Sequence, residues 1–512
     1  MEGRYSFMTR LPVVSSDNNT WGTTLNAFLA VAHNADGSLK NYYYNVKDPA
    51  YGAIVDGSTD DTTAIRAALN AASTAGGGTV FLSGLAAVSG SITVPNNVTF
   101  LGSGQNSGLK ILAGFSGAQV LLLNGDFAQV RDMQIVGPTS TYSGNPAANA
   151  IQITGARRCI VDKVVFYYIN GWMVQSTSTS GVANYNCRFT NLYGFNCAKG
   201  IHTLGVSGSS YGMSAFIHQC GMDFSTGSGD CYLIEDSNDV LMSDIYGDYL
   251  GGSGNVFRIH GACNGVYMSN FDIGPFPGPI GNVVVIESGA NGSPNYIGLS
   301  NGIIEGGSIG LLMSAGQQVS LANIEFFNNN TAGLQITGGF AYLVSDCFFY
   351  LNGSSAGSGR YDIVSSTSGN GEIRGCHFLT PQGSGAQQTN NAVNVTAGTV
   401  VMSDCTFYGT GYNSGNIFNN KPAVIRNCPG YNPLGIITPP SVPASTVATT
   451  ALPTDCTVYI KGGTLTNVQV NGVTTGISAA APAGAVHTVR VPAQLTIAVT
   501  YTVTPSWVWS SD

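Results

Sequence analysis

The stretch Asn323-Ile324-Glu325-Phe326 has a polar, apolar, variable, apolar pattern that returns along the chain and decides the fold. Its first apolar position is occupied, copy after copy, by Met133, Val164, Leu192, Cys220, Ile245, Phe271, Gly302, Ile324, Cys347, Cys376, Cys405 and Cys428. Successive copies are 22 to 31 residues apart, and repeats of this length in a fixed register are typical of a solenoid. The alternation inside each copy indicates a β-strand. We therefore predict a parallel β-helix from about Gly76 to Pro433, in which each repeat buries the apolar face of its neighbour.

Several of the 11 cysteines occupy this inward position. They are Cys220, Cys347, Cys376, Cys405 and Cys428. A free cysteine behaves there as a small buried hydrophobe, whereas a disulfide framework usually belongs to small secreted domains. Because the chain has no CxxC pair, the sequence predicts no zinc site, and it indicates no other metal or cofactor.

The composition excludes several classes of protein. Charged residues make up 9% of the chain and hydrophobic residues 43%, which excludes a charged disordered chain. The net charge is −8 and no basic block occurs, so we expect no nucleic-acid partner. No apolar run is long enough to span a membrane, and residues 1–10 lack the apolar core of a signal peptide. We therefore expect no membrane insertion and no export by the general secretory route.

A candidate end cap precedes the first repeat. An Ala-rich helix is predicted there, with Thr59 or Asp60 as its capping residue. One face of this helix is apolar and consists of Ile65, Ala68, Leu69 and Ala72. Gly76-Gly77-Gly78 ends the helix, and Thr79-Val80-Phe81-Leu82 follows as the first strand. Such a helix covers the open end of a solenoid.

The string from Tyr51 to Leu82, followed by Val98–Gly104, resembles the pectate-lyase-like superfamily found in phage tailspikes. The resemblance covers about fifty residues directly, and the repeats extend it to about Asn432. It implies a right-handed β-helix, and it implies a homotrimer that binds or cleaves surface polysaccharide. One departure is Ser83-Gly84, where the family usually carries a Pro and a Gly around a short turn.

The N-terminal stretch contains Leu11-Pro12, then Thr20-Trp21-Gly22-Thr23-Thr24-Leu25-Asn26-Ala27-Phe28-Leu29, then His33-Asn34-Ala35-Asp36-Gly37. It resembles the openings of tail proteins from phages of actinobacteria. Within it, Trp21, Leu25, Phe28 and Leu29 share one face of a predicted short helix. This helix either packs on the rod or docks the protein on the phage tail.

The C-terminal stretch after the last repeat begins with a Pro-rich linker, and residues 451–512 then alternate strongly, as in a small all-β domain. This domain resembles C-terminal modules on minor tail proteins. Trp507 and Trp509 either stack on sugar rings or close a small core.

We therefore divide the chain into four segments. They are an N-terminal tail-attachment segment (1–45), a pectate-lyase-like parallel β-helix (46–435), a Pro-rich linker (436–450) and a small C-terminal β domain (451–512).

The outward positions of the repeats form columns, so their chemistry can be placed by register. The first column runs through Gln134, Val165, Tyr193, Gly221, Tyr246, Asp272, Ile303, Glu325, Phe348, His377 and Thr406. The second runs through Tyr167, Phe195, Asp223, Asp248, Gly274, Glu305, Phe327, Tyr350, Leu379 and Tyr408. Both columns are aromatic at their ends and acidic in the middle. A third column, before the inward residue, is rich in Asn and Asp and is predicted to form turns.

The acidic middle supplies the candidate catalytic residues, which are Asp248, Asp272, Glu305 and Glu325. Glycoside hydrolysis usually needs two carboxyl groups, which are about 6.5–9.5 Å apart in inverting enzymes. One strand and two residues separate Asp272 from Glu305, roughly 8 Å at the backbone, which suits an inverting pair. The alternative is that these acids face solvent without a chemical role.

The candidate glycan-binding residues are Tyr193, Tyr246, Phe348, Tyr350 and His377. Aromatic rings on the outside of the rod can hold sugars by stacking. The alternatives are structural stacking or contact with a neighbouring chain, and for His377 a plain surface position.

The resemblance implies a phage tailspike or minor tail protein in the virion, made in the host cytoplasm. Such a protein binds host surface glycan along the rod and is a candidate to hydrolyse it. The N-terminal segment would contact phage tail or baseplate proteins. One alternative is a non-catalytic structural or adhesive tail fibre. Another is a bacterial polysaccharide hydrolase or lyase, which the missing signal peptide disfavours, and a lyase also lacks a convergent basic group.

Overall fold

The computed structural model describes residues 20–32, 43–206, 214–224, 227–249, 254–274, 281–353, 360–379, 391–408, 417–420, 422–428, 435–437, 439–449, 455–477 and 486–511. The chain forms two compact units, residues 1–198 and residues 199–512, and each is described by itself. The boundaries of the four segments assigned above remain predictions.

The first unit contains helices α1 (Trp21–Ala32) and α2 (Thr62–Thr74), a 3-10 turn (Tyr142–Gly144) and two parallel sheets. In sheet 1 lie β1 (Tyr43–Asn45), β2 (Gly78–Leu82), β3 (Leu85–Val88), β5 (Val98–Gly102), β6 (Gly108–Ile111), β8 (Gln129–Val136), β10 (Ile160–Tyr167), β12 (Cys187–Thr190) and β13 (Tyr193–Phe195). In sheet 2 lie β4 (Ile92–Val94), β7 (Gln119–Leu123), β9 (Asn149–Thr154) and β11 (Trp172–Thr177).

The second unit also contains both kinds of strand, together with a C-terminal region. In sheet 1 lie β15 (Ala215–Phe224), β17 (Asn238–Tyr249), β19 (Asn264–Gly274), β21 (Asn295–Glu305), β23 (Gln317–Phe327), β25 (Ala341–Ser345), β26 (Phe348–Tyr350), β28 (Asn370–Arg374), β29 (His377–Leu379), β31 (Thr399–Ser403), β32 (Thr406–Tyr408) and β33 (Val424–Arg426). In sheet 2 lie β14 (Lys199–Leu204), β16 (Tyr232–Glu235), β18 (Phe257–His260), β20 (Asn282–Glu287), β22 (Ile309–Met313), β24 (Ala332–Ile336), β27 (Tyr361–Ser365) and β30 (Asn391–Val395).

The predicted all-β, parallel β-helix fold class is confirmed. Strand pairings place the predicted inward residues of successive repeats opposite one another, as in Ile245 with Phe271 and Gly302 with Ile324. The apolar residues of this column are buried because each strand alternates between core and solvent. The register read from the sequence is therefore the register of the sheet.

Each repeat bends at residues with a left-handed backbone, and the predicted turn column is one of these corner positions. The corner residues have φ between 45° and 57° and include Asp132, Asn191, Asp244, Asn270, Asn301, Asn323, Asp346, Asp404 and Asn427. Asn and Asp tolerate this conformation better than other side chains. Neighbouring corner side chains also bond to each other, since Asn323 Nδ2 donates to Asn301 Oδ1 at 2.9 Å.

The core of the second unit contains a stack of parallel aromatic rings on successive strands. Phe326 and Phe349 have ring centroids 4.9 Å apart, Phe349 and Phe378 5.0 Å, and Phe378 and Phe407 4.9 Å. The spacing equals the strand spacing of a sheet, so in-register phenylalanines stack face to face.

All 11 cysteines of the chain are free and buried. The five at the inward position therefore pack in the core, as predicted, and form no disulfide.

We expect native protein to react with no more than a trace of an aqueous thiol reagent, because the reagent cannot reach a buried sulfur. After denaturation all 11 thiols should react. A colorimetric thiol titration with and without denaturant measures both values. Fast labelling of several thiols in native protein would contradict the buried placement.

Asp362 on β27 is an unusual core residue, because its carboxyl group is buried beside the Asn352 amide. Asn352 Nδ2 donates to Asp362 Oδ1 at 3.1 Å, and Oδ2 has no hydrogen-bond partner among the described residues. Burial raises the pKa of Asp362 well above its usual range. The protonated carboxyl is therefore the form that the core accommodates.

Asp362→Asn should remove a pH dependence of stability. With a raised pKa in the folded state, the wild type has its full stability at low pH and loses stability as pH rises through that pKa. The neutral amide cannot ionise. The melting temperature of the variant should therefore decrease less between pH 5 and pH 9 than that of the wild type. Thermal unfolding across this pH range is the measurement, and equal pH slopes for both proteins would contradict the assignment.

Helix α2 buries the apolar face predicted for the end cap, namely Ile65, Ala68, Leu69 and Ala72. The predicted capping residue, Thr59 or Asp60, is wrong, because the N-cap of α2 is Asp61 and its side chain makes no capping hydrogen bond. Asp60, one residue earlier, accepts a hydrogen bond from the Thr62 N–H at 3.0 Å. Helix α1 is also present as predicted, and the exposed fraction of Trp21 is 48%. No described helix has the length and apolar character needed to cross a membrane.

The C-terminal region of the second unit forms two antiparallel sheets. Their strands are β34 (Gly435–Ile437), β35 (Cys456–Lys461), β36 (Thr464–Val470), β37 (Val473–Thr474), β38 (Val486–Val491), β39 (Ile497–Val503) and β40 (Ser506–Ser511). Trp507 and Trp509 are buried in the core of this region, and Trp507 Nε1 donates to the Pro440 carbonyl at 2.8 Å. The two tryptophans therefore close a core, and stacking on sugar is excluded for them.

Candidate functional site

The first outward column is a continuous row on sheet 1 of the second unit. Strand pairing places Tyr246 opposite Asp272, and Ile303 between Asp272 and Glu325. Glu325 then lies opposite Phe348, and the column continues to His377 and Thr406. Strands β17, β19, β21, β23 and β26 therefore each contribute one side chain to the same solvent-facing row.

The second outward column lies two residues further along the same strands. Asp248 is opposite Gly274, and Glu305 is opposite Phe327, which is opposite Tyr350. Together the columns bring four predicted catalytic residues onto successive strands. We call the surface formed by Asp248, Asp272, Glu305 and Glu325 the acidic groove.

An open cavity of about 690 Å³ lies along the acidic groove, and of the four carboxyl groups Asp272 and Glu325 line it. Asp248 and Glu305 lie beside the cavity, in the second column. Tyr246 closes one end and Phe348 the other, and their exposed fractions are 43% and 42%. One long wall consists of the corner side chains Asp244, Asn270, Asn301 and Asn323. The sequence analysis treated these corner residues as turn formers only, but their column position also makes them part of the groove.

Gly274 leaves room for the Glu305 side chain, a role that the sequence analysis missed. A Cβ at Gly274 would lie 2.7 Å from Glu305 Cγ and 2.3 Å from its carbonyl oxygen. Glu305 therefore leans over the neighbouring strand, toward the side of Asp248 and Asp272. The sequence feature that could have indicated this role is the glycine itself, which stands between acidic residues in the middle of the second column.

Like charges raise the pKa of one carboxyl group in the groove. Burial is the largest cause for Glu305, followed by the negative charges of Asp272, Asp248 and Glu325. Burial also raises the pKa of Asp272. Because carboxylates that share a site cannot all ionise easily, the groove favours one protonated carboxyl beside ionised ones, which is the combination that acid–base catalysis uses.

Glu325→Gln should lower the pKa of Glu305, because it removes one of the negative charges that disfavour its ionised form. If Glu305 acts as an acid, the alkaline limb of the pH–rate profile should move to lower pH. Measurement of the profile for wild type and variant tests this sign. An unchanged or alkaline-shifted limb would exclude Glu305 as the titrating acid.

Several aromatic side chains of the columns stack on one another. His377 stacks on Phe348 with centroids 4.7 Å apart, and its Nδ1 is 2.7 Å from Thr406 Oγ1. Tyr350 stacks on Phe327 with centroids 5.6 Å apart. Structural stacking, one of the alternatives considered above, is therefore present. Tyr193 belongs to the first unit, so it is not described with the groove, although its exposed fraction is 40%.

A second group of titratable side chains lies on sheet 2 and was not identified from the sequence. It contains His202, Glu235, His260 and Glu287. The signal for it in the sequence is a second register, outside the sheet 1 repeats, formed by Ile234-Glu235, Ile259-His260 and Ile286-Glu287. No group of three or more described His, Cys, Asp or Glu residues has an arrangement that could hold a metal ion.

Comparison with known proteins supports the family predicted for the β-helix. Residues 43–246 match the family model described as rhamnogalacturonase A/epimerase, pectate lyase-like. Mannuronan C5-epimerase AlgE3 of Azotobacter vinelandii is 45% identical over 69 residues, which are 12% of this chain and 4% of that protein. AlgE6 of the same organism is 35% identical over 137 residues, 25% of this chain and 14% of that protein. The chain thus spans a small part of the length of these curated relatives.

A solved structure with a similar fold is the N-terminal fragment of gene product 12 of bacteriophage Phi29. The TM-score is 0.51 at 14% sequence identity, over 75% of this chain and 66% of that chain. This likeness shows a shared fold, and the resemblance to phages of actinobacteria remains a prediction. Residues 43–246 are therefore similar to a pectate-lyase-like family, and the chain shares the parallel β-helix fold with the bacteriophage Phi29 fragment.

Proposed function

We propose that the chain is a phage tailspike or minor tail protein whose acidic groove binds host surface polysaccharide and hydrolyses it. The observation that carries this proposal is the placement of four carboxyl groups on successive strands, of which Asp272 and Glu325 line an open cavity between two exposed aromatic rings. Carboxyl pairs supply the chemistry of glycoside hydrolysis, and aromatic rings at both ends suit a chain of sugar rings.

In this proposal Glu305 is the general acid and Asp272 the general base. Glu305 donates its proton to the glycosidic oxygen, while Asp272 takes a proton from a water that attacks the anomeric carbon. The C–O bond to the leaving sugar breaks, and the products are two shorter saccharides. One strand and two residues separate the pair, roughly 8 Å at the backbone, which leaves room for water as in inverting enzymes. Burial, and after it the charges of Asp272, Asp248 and Glu325, keeps the pKa of Glu305 high.

The charge of the groove favours an uncharged or amine-bearing glycan. Among the described residues that line it there is no Lys or Arg to neutralise a uronate. Four carboxyl groups in one groove repel a polyanion, since like charges at short range disfavour binding. The proposal therefore does not extend the mannuronan substrate of the curated relatives to this chain.

The assembly belongs to the same proposal. The protein forms a homotrimer in the virion, with residues 1–45 attached to phage tail or baseplate proteins. Solution mass measurement tests the trimer, and a monomer at working concentration would remove it.

The decisive experiment incubates the protein with envelope polysaccharide of candidate hosts and assays both binding and reducing ends. Binding with release of reducing ends supports the hydrolase. Binding without release supports the alternative, a non-catalytic adhesive tail fibre. Release of unsaturated products would instead indicate a lyase, and no binding to any host glycan would contradict the proposal.

A further inference from the structure

The second group of titratable side chains lies on the solvent-facing side of sheet 2. Glu235, His260 and Glu287 are the last residues of β16, β18 and β20 and are opposite one another in register. The residues before them are fully buried and are Ile234, Ile259 and Ile286. Because strand side chains alternate, the three polar groups point away from the core. His202 and Arg258 extend the group in the adjacent outward column.

Two acceptor groups of this cluster, the Glu235 carboxylate and the His260 ring, are each held by a neighbouring side chain. His202 Nε2 is 2.9 Å from Glu235 Oε2, and the His202 side chain is only 7% exposed. On the other side, His260 Nδ1 is 3.0 Å from Glu287 Oε1. Arg258 Nε donates to the same Glu287 oxygen at 2.7 Å. These contacts fix the orientation of the Glu235 carboxylate and of the His260 ring.

The held groups face each other across a gap. His260 Nε2 and Glu235 Oε1 are 3.9 Å apart, which is too long for a hydrogen bond. Since the Glu287 carboxylate only accepts, it places the imidazole proton of His260 on Nδ1, and the neutral ring presents a lone pair at Nε2. An atom with several N–H donors, located about 2.8 Å from both, would satisfy both acceptors.

The charge of the cluster favours a cation in this gap. Arg258 faces three carboxyl groups, those of Glu287, Asp230 and Glu235, so the carboxyl groups outnumber the guanidinium. The hydrogen bond from His202 is the largest cause that lowers the pKa of Glu235, which therefore stays ionised at neutral pH.

A glycine forms one wall of the gap. A Cβ at Gly289 would lie 2.8 Å from His260 Nε2, so only glycine leaves this nitrogen accessible. The turn that carries Gly289 is fixed by a hydrogen bond from Asn291 Nδ2 to Asp236 Oδ2. Asp236 Oδ1 in turn accepts from the Ala262 N–H at 2.8 Å. The wall is therefore built from three anchored segments.

We propose that this cluster is a binding site for a primary ammonium group, which bridges His260 Nε2 and Glu235 Oε1. An ammonium group carries three N–H donors and one positive charge, so it matches both the paired acceptors and the net charge. The same chemistry is present in an unacetylated amino sugar and in the side chain of lysine. This site lies on another sheet and does not depend on hydrolysis in the acidic groove.

Calorimetry with the full chain tests the site. A glucosamine tetrasaccharide and a lysine peptide are each compared with their N-acetylated forms. We expect at least tenfold tighter binding of one amine than of its acetylated form, and at least tenfold weaker amine binding for Glu235→Gln. The amine that binds identifies the source. Glu372→Gln removes an equivalent charge from an exposed position on β28 and should change nothing.

Two results would overturn the proposal. Equal binding of amine and acetylated ligands, including no binding of either, excludes ammonium recognition. Amine binding that Asp272→Asn weakens and Glu235→Gln does not weaken assigns the ammonium group to the acidic groove instead.

Gly289→Ala provides a second variant, because its methyl group would occupy the gap beside His260 Nε2. We expect at least tenfold weaker amine binding, and a lower melting temperature as well, because the same methyl group would lie 2.9 Å from Gly261 Cα. Should both variants fail to fold, histidine ¹⁵N shifts of the wild type decide the question. A shift of one imidazole on addition of the amine, and not of its acetylated form, supports the site, and no shift overturns it.

Discussion

Asp272→Asn and Glu305→Gln should each lower the rate of reducing-end release from a bound host glycan by about 10²–10⁴-fold, the usual contribution of a positioned acid or base. Both changes keep the shape of the side chain and remove its ability to exchange a proton. Binding should change little, because the aromatic rings and the corner side chains still line the groove. Reducing-end assays beside equilibrium binding separate the two effects.

The matched control is Glu372→Gln on β28, which removes a carboxyl group from an exposed outward position beside Arg374. It should retain the wild-type rate. Wild-type rates in both groove variants would place the chemistry elsewhere on the molecule, and loss of binding in either variant would give that side chain a role in holding the sugar.

Phe349→Ala should destabilise the second unit by about 3–5 kcal/mol, the range for deletion of a buried phenylalanine. Phe349 is fully buried and stacks on Phe326 on one side and on Phe378 on the other, with centroids 4.9 Å and 5.0 Å away. Its removal leaves a cavity and interrupts the stack in the middle. Denaturant unfolding followed by circular dichroism measures the loss.

The neighbouring Phe348 provides the control, because it precedes Phe349 on the same strand and points outward with 42% of its surface exposed. Phe348→Ala should cost far less than Phe349→Ala, although it loses the ring contact with His377. Equal destabilisation by the two changes would mean that the inward and outward positions of this strand had been reversed, since a shift of one residue exchanges the faces of a strand.

The repeat register could be predicted because it leaves a periodic trace in the sequence. Inward positions are filled by apolar residues and corners by Asn or Asp, so Ile324 and Asn323 could each be assigned without coordinates. The acidic groove followed from this register, because column neighbours are fixed once the inward residue is known. The catalytic and glycan-binding roles of its side chains remain predictions.

The register of sheet 2 was harder to predict than that of sheet 1, and the ammonium site on sheet 2 was therefore also missed. Its strands are joined to those of sheet 1 by connections of variable length, so one register cannot be extended into the other by counting. The contacts of His260 also depend on side-chain orientation, which sequence spacing does not specify. The role of Gly274 was missed for the same reason, since it depends on where the Glu305 side chain leans.

The corner column of Asn and Asp residues has a consequence for how such a protein can evolve. Because each repeat contributes one residue to each column, duplication or loss of one whole repeat moves the later repeats by one step and keeps every side chain in its column. The step is about 4.8 Å, the spacing of strands in a sheet. A binding surface of this kind can therefore grow or shrink in fixed increments, so a lineage can adjust the length of ligand it covers without redesigning the core.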